Sequence, residues 1–342
     1  MTERPTVVVT GPWSDPGWDA ALRAAGVGVI MGPSIDERPA TPVDEATLCE
    51  MVARADAVLV SSRERITARV LDAAPRLRLV AKATIGVERI DVEAATERGI
   101  LVVNSPAPEN VVGLAEATIG LIVALAKQLL VKEQRIRDGG WRDATTDGLV
   151  LAGRTVGIIG LGRVGSGVAR RLVGWDVDVL ACDPYIPVER FAAAGAGPVD
   201  LPTLLSQSDI VTLHVPLTAE TRGMIDAEAL AAMPVGALLV NTSRGAVVDQ
   251  AAIAQALQDG HLGAAALDVF ETEPLPPDDP IRAVPRDRVL LTPHSIGSSH
   301  ASRATGTRMA IAAVLDALGG RVPPNVVNAA ALHRWRRRFG AE

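Results

Sequence analysis

Short apolar runs alternate with amphipathic stretches along the whole chain. In the first third the runs fall at Thr6–Thr10, Ala57–Val60, Leu77–Ala81 and Ile100–Val103, with helix-like segments such as Asp44–Ala53 and Val92–Arg98 between them. The βα rhythm of these runs predicts a parallel sheet. A second series runs through Thr155–Ile159, Val177–Cys182, Ile210–His214, Ala237–Asn241, Ala264–Asp268 and Val289–Thr292, with helical segments such as Ala251–Leu257 between them. Six strands are what a complete doubly wound domain requires. Between the two series lies Asn110–Arg137, a long, mostly apolar helical pattern without proline that ends at Asp138-Gly139-Gly140 and is expected to bridge two domains. After the last strand come a helical stretch, Ala301–Leu318, then Gly319-Gly320 and Pro323-Pro324. The second sheet is complete by then, so this tail is expected to return to the first domain. The pattern therefore predicts two doubly wound α/β lobes, a discontinuous one (1–108 and 297–342) and a continuous one (109–296), with a cleft and hinge between them.

The first strand of the second series runs directly into Gly160-Leu161-Gly162-Arg163-Val164-Gly165. A G-x-G-x-x-G turn between strand and helix is the fingerprint of a Rossmann dinucleotide site: one glycine for the tight turn, one for close approach to the pyrophosphate, one for helix packing. The helix that follows aims its N-terminal N–H groups at phosphate. Asp183 ends the next strand, about 20 residues on, where an acid hydrogen-bonds the adenosine ribose hydroxyls. A carboxylate there favours NAD over NADP, and Pro184 and Tyr185 offer no arginine for a 2′-phosphate.

Composition narrows the picture. The 342 residues are comfortable for two domains. A net charge of −6 argues against a nucleic-acid surface. The one basic run, Arg334–Arg338, reads as a solvated tail or subunit contact, with a phosphate-attracting edge as the other reading. Cys49 and Cys182 are far apart and predict no disulfide framework, so a cytoplasmic setting is expected. The N-terminus lacks the apolar core of a signal peptide, and no apolar run is expected to reach the roughly 20 residues that span a membrane. No metal site is expected.

Four further motifs follow the fingerprint in order: Leu213-His-Val-Pro-Leu-Thr218, Val240-Asn-Thr-Ser-Arg-Gly-Ala-Val-Val-Asp249, Ala265-Ala-Leu-Asp-Val-Phe-Glu-Thr-Glu-Pro274 and Leu291-Thr-Pro-His294. With them the chain resembles the D-isomer-specific 2-hydroxyacid dehydrogenases over roughly Ala57 to Asn328. The resemblance implies a flavodoxin-like first domain and a catalytic Arg244, Glu273 and His294. Reduction of a 2-keto acid needs a proton donor at the carbonyl oxygen while NADH delivers hydride to carbon, which suits histidine. Glu273 would orient the imidazole and stabilise its charged form, and the planar fork of Arg244 would bind the substrate carboxylate or carbonyl. Taken singly, each also reads as an ordinary loop residue. All three, however, fall at the carboxyl ends of predicted strands, where open α/β sheets bind ligands.

The same resemblance implies that Thr242, Ser243, Asp268 and the backbone from His294 to Gly297 line the nicotinamide ribose and carboxamide, that Val215-Pro216 lies beneath the adenosine, and that His214 packs beside the cofactor. It places a substrate-carboxylate cradle at Lys82-Ala-Thr84-Ile85-Gly86, where backbone N–H groups form an anion nest, and Asn110 facing the cleft. Here the chain departs from the family, with Thr84 where glycine is common and Glu88 where aspartate is common. Lys82 has two open readings, a charge for a second anionic group or a solvated end of an edge strand.

The activity implied is interconversion of a D-2-hydroxy acid and its 2-keto acid, with phosphoglycerate or hydroxypyruvate chemistry foremost. No long regulatory C-terminal extension follows, so feedback control through one is not expected. Formate chemistry is disfavoured, because the family's formate enzymes pair the histidine with glutamine and Glu273 stands here; phosphite chemistry is less favoured, because Ile85 rather than lysine precedes Gly86. A reading from another class is an NAD-sensing, co-repressor-like binding protein, since such relatives keep the catalytic trio. The resemblance also implies a homodimer formed through the nucleotide domains; the apolar stretch Ala115–Leu130 reads equally as a contributor to that contact or as an interior helix.

Overall fold

Alternation within each apolar run sorts the side chains onto two opposite faces. The computed structural model describes residues 4–11, 17–32, 42–60 and 62–340. It divides into a first unit of the residues up to Glu109 and from Ser299 onward, and a second unit of Asn110–Ser298.

The first unit carries β1 (Thr6–Val9), β2 (Gly28–Met31), β3 (Ala57–Val60), β4 (Leu79–Lys82) and β5 (Leu101–Val103), all parallel, in the order β2-β1-β3-β4-β5. This is the flavodoxin-like winding. Val7, Val9, Leu59, Leu79, Ala81, Leu101 and Val103 face one core, and Val8, Val58, Val60, Val80 and Val102 face the other. The pleat separates neighbours, so each strand needs a helix layer on both sides. One layer is the helix His300–Leu318, whose Ala310, Val314 and Ala317 join the first core. The tail thus belongs to the first unit. Trp335 is fully buried in the same core and donates its indole N–H to the Arg78 carbonyl at 2.9 Å. The helices Glu45–Val52, Ala68–Asp72 and Val92–Glu97 cover the second face.

The second unit carries β6 (Thr155–Ile159), β7 (Asp178–Cys182), β8 (Gly197–Pro198), β9 (Ile210–Leu213), β10 (Ala237–Asn241), β11 (Leu262–Leu267) and β12 (Val289–Leu291). Their order is β12-β11-β10-β9-β6-β7-β8, a doubly wound sheet whose order reverses between β6 and β9.

The structure corrects several expectations. The second sheet has seven strands, because Gly197–Pro198 pairs with β7 although two such residues carry no apolar signal. β2 has no counterpart among the predicted runs, since its half-exposed edge position blunts the pattern. The run expected at Leu77–Ala81 pairs two residues later at its start, as Leu79–Lys82. The helix expected over Asn110–Arg137 is two, Pro108–Ala126 and Leu129–Arg137. Between them Gln128 takes a left-handed conformation (φ 51°), and Leu149 captures the Ala126 carbonyl at 2.6 Å. The first of these helices, 19 residues with a mean hydropathy of 1.6, is also long and apolar enough to cross a membrane by length and composition, contrary to expectation. It packs Ala115, Leu121, Ile122 and Ala126 into the core of the second unit.

Truncating the buried Trp335 removes a large core side chain and an indole hydrogen bond. Trp335→Ala is expected to cost about 3–5 kcal/mol of first-unit stability, read by urea unfolding followed by circular dichroism.

Candidate active site

The nucleotide turn sits where the strand order of the second unit reverses. Gly160 has φ +88°, and a methyl group on it would lie 2.7 Å from the His214 carbonyl oxygen. A methyl on Gly165 would lie 2.0 Å from the Gly160 carbonyl oxygen, so only glycine lets the helix Arg163–Leu172 start this close to β6. Gly162 is the N-cap of that helix, and nothing lies within 4 Å of where its side chain would be. Open space in front of such a helix start is what a pyrophosphate requires. Arg163 and Val164 open the helix, the first exposed and the second half-buried. Asp183 accepts from Leu161 N at 2.9 Å and from Tyr185 N at 3.0 Å, which fixes its carboxylate at the turn. These residues fit a dinucleotide.

His214 follows β9, with Nε2 3.0 Å from Thr212 Oγ1. Burial pushes its pKa down to about 3, which favours the neutral ring. Val215 is half-buried and Pro216 lies next to it in the chain.

Arg244, Glu273 and His294 follow β10, β11 and β12, three adjacent strands whose carboxyl ends share one edge. His294 Nδ1 lies 3.0 and 2.9 Å from the two Glu273 oxygens. Glu273 also accepts the Phe270 N–H at 3.1 Å, so the carboxylate is held from a second side. His294 occupies the left-handed region (φ 50°), a strained conformation for a residue with a side chain. Arg244 is half-buried and donates from Nη1 to the Ser243 carbonyl at 2.7 Å. A methyl on Gly245 would lie 1.9 Å from the Phe270 carbonyl carbon, so the Arg244 turn rests directly on the backbone leading to Glu273.

Asp268, nearly fully buried, organises the histidine loop. It accepts from Thr292 Oγ1 at 2.7 Å, Ser295 N at 3.0 Å and Ile296 N at 3.3 Å. Desolvation raises its pKa above the usual aspartate range, against the pull of these donors and of His294. Asn110 donates to the Gly297 carbonyl at 3.1 Å and so ties the same loop to the helix Pro108–Ala126. Thr242 and Ser243 are buried, their hydroxyls engaged with Thr118 Oγ1 at 3.3 Å and Asn241 Oδ1 at 2.8 Å.

Sequence reasoning missed Asn241 and Gln250. Asn241 accepts the Ser243 N–H at 3.0 Å and donates to the Arg244 carbonyl at 3.0 Å, setting the turn that presents Arg244. Buried Gln250 exchanges hydrogen bonds with Glu271, N to Oε1 at 3.0 Å and Oε1 from N at 3.3 Å, and donates to Asp279 at 2.7 Å. The available signal was polar residues inside otherwise apolar motifs.

In the first unit, β4 lies between β3 and β5, and Lys82 is only 4% exposed. The expectation of a solvated lysine on an edge strand is therefore corrected. In the loop that follows, the Thr84 carbonyl accepts from Ser105 N at 3.0 Å and the Ile85 carbonyl from Asn104 Nδ2 at 2.9 Å. Gly306 seats the helix His300–Leu318 against this loop, since a methyl there would lie 2.2 Å from the Ala83 carbonyl oxygen.

Comparison with known proteins gives the family. The profile described as "D-isomer specific 2-hydroxyacid dehydrogenase, NAD binding domain" matches residues 119–296. D-3-phosphoglycerate dehydrogenase of Mycobacterium bovis is 40% identical over 87% of this chain, and the chain spans 56% of that relative's length. Glyoxylate reductase of Korarchaeum cryptofilum is 40% identical over 84% of this chain and 87% of its own. Among solved structures, a protein of Thermus thermophilus superposes with a TM-score of 0.84 at 34% identity, covering 94% of this chain and 99% of that one.

Gly165→Val is expected to abolish NADH binding in a fluorescence titration while far-ultraviolet circular dichroism changes little. His214 gives a second test. Its folded pKa lies below the unfolded value, so its contribution to stability is present above pH about 6.5 and is lost as pH falls toward about 3. Denaturation midpoints of His214→Gln should depend less steeply on pH across that window than those of the parent chain.

Proposed function

The chain belongs to the D-isomer-specific 2-hydroxyacid dehydrogenases, and from that premise we propose that it interconverts a D-2-hydroxy acid and its 2-keto acid with NAD. The observation that carries the reading is the His294–Glu273 pair, set on the same sheet edge as Arg244 and the nucleotide turn. NAD(H), when bound, supplies the hydride acceptor or donor. Glu273 takes the Nδ1 side of His294, which leaves Nε2 as the atom that gives a proton to the carbonyl oxygen in reduction and removes it from the hydroxyl in oxidation. Arg244 binds the carboxylate or carbonyl through its planar fork. Asp268 and Asn110 position the loop from Thr292 to Gly297 that carries His294.

Asp183 selects NAD, because a 2′-phosphate would meet its carboxylate. In the first unit, the N–H groups of Thr84, Ile85 and Gly86 donate to no partner among the described residues, which supports the substrate-carboxylate cradle expected there. Phosphohydroxypyruvate, hydroxypyruvate and glyoxylate are the leading substrates. Leu129, Leu130, Ile136, Trp141 and Val150 are exposed on the second unit and form the surface we assign to a homodimer. A cytoplasmic enzyme with a small-molecule partner, and neither nucleic acid nor membrane, completes the reading.

NADH oxidation against a panel of 2-keto acids should show turnover, with NADPH much poorer. His294→Ala should lower kcat by at least about a hundredfold with NADH binding retained. Background rates across the panel with NADH still bound would favour the sensor reading instead. Light scattering should return twice the chain mass, and Trp141→Glu should shift it toward the monomer.

A further inference from the structure

The basic run near the C-terminus plays no part in the site above. Its helix, Leu332–Phe339, is anchored by buried Trp335 and ends on Phe339. Two guanidinium groups stack on that ring, Arg78 at 5.1 Å and Arg338 at 4.6 Å from its centroid. Beside them opens a cavity of about 640 Å³, lined by Arg4, Asp56, Arg76, Arg78 and Phe339 among others. It lies wholly within the first unit, at the opposite end of the sheet from the Thr84–Gly86 loop. Arg4 precedes β1, Asp56 precedes β3, and Arg76 and Arg78 precede β4.

The charge balance of this cavity is unusual for a chain of net charge −6. Asp56, the one acid among the described lining residues, already accepts from Arg76 at 3.2 and 2.8 Å and from Thr6 N at 2.8 Å. Among the described residues, that leaves the charges of Arg4 and Arg78 in the lining, and of Arg338 beside it on the Phe339 ring, to be balanced by carbonyl dipoles and an aromatic face. Arg4 is fixed on the Gly26 and Val27 carbonyls at 2.6 and 2.9 Å, Arg78 on Leu318 O at 3.2 Å and Arg338 on Pro75 O at 3.1 Å. Arg78 Nε is buried with no hydrogen-bond partner among the described residues. Gathering fixed cations of one sign costs Coulomb energy in the empty cavity and is repaid when an anion enters. Guanidinium forks match phosphate oxygens in pairs.

We propose that this cavity is a second anion site, separate from the catalytic centre, that takes phosphate or a small phosphate monoester. The site stands independently of the assigned reaction. With the intact chain saturated in NADH, so that the dinucleotide's own phosphate positions are filled, inorganic phosphate is titrated at constant ionic strength and the melting temperature recorded. A saturable rise at millimolar phosphate is expected, weakened at least tenfold in Arg78→Gln and in Arg4→Gln, whose exposed side chain makes it the safer variant for folding. Glycerol 3-phosphate in a parallel titration separates the sources: tighter binding than phosphate marks a monoester site, and equal binding a free-phosphate site. A rise that does not saturate, or one unchanged in a folded Arg4→Gln, would overturn the proposal.

Discussion

Backbones at the carboxyl edge of the second sheet approach one another so closely that only a hydrogen fits between them. At Gly165 a methyl would lie 2.0 Å from the Gly160 carbonyl oxygen, and at Gly245 one would lie 1.9 Å from the Phe270 carbonyl carbon. The first contact lets a helix start point at a phosphate, and the second presses the arginine turn onto the loop that bears Glu273. Interiors packed this tightly transmit position with little slack, so groups on three separate strands hold a fixed geometry.

Polar groups then do locally what the close contacts do at longer range. Asp268 gives up solvation to accept three donors from the histidine loop, and its raised pKa is the mark of that burial. The strained backbone of His294 is held between this loop and Glu273. Asn241 performs the same task on the arginine side, and Gln250 ties the start of the following helix to Glu271. His214 shows the contrast, for the same residue type beside the nucleotide turn has its pKa pushed down by desolvation rather than a carboxylate at its ring.

The two sheets were legible because each strand lies between two helix layers and must be apolar on both faces. Where that reason lapses, so does the signal. The edge strand Gly28–Met31 and the two-residue Gly197–Pro198 strand bury too little to leave a pattern. Helix continuity through Lys127 and Gln128 looked assured from the absence of proline, yet a distant residue, Leu149, takes the carbonyl that would have continued it. Lys82 was misplaced because strand order, and with it burial, is not written in local sequence.

By itself, the sequence determined the α/β class, the nucleotide turn and the identity of the side chains at the ends of β10, β11 and β12. Those follow from local rules: alternation, the conformational freedom of glycine, and motif spacing. Only the tertiary structure decided that Glu273 grips both the Phe270 N–H and the His294 ring, that Asp268 is an internal acceptor for the histidine loop, and that Asn110 reaches Gly297. It alone brought Arg4, Arg78 and Phe339 around one cavity. Such contacts join residues far apart in the chain, and their existence depends on which strands lie side by side, a choice made by packing of the whole sheet rather than by any stretch of chain.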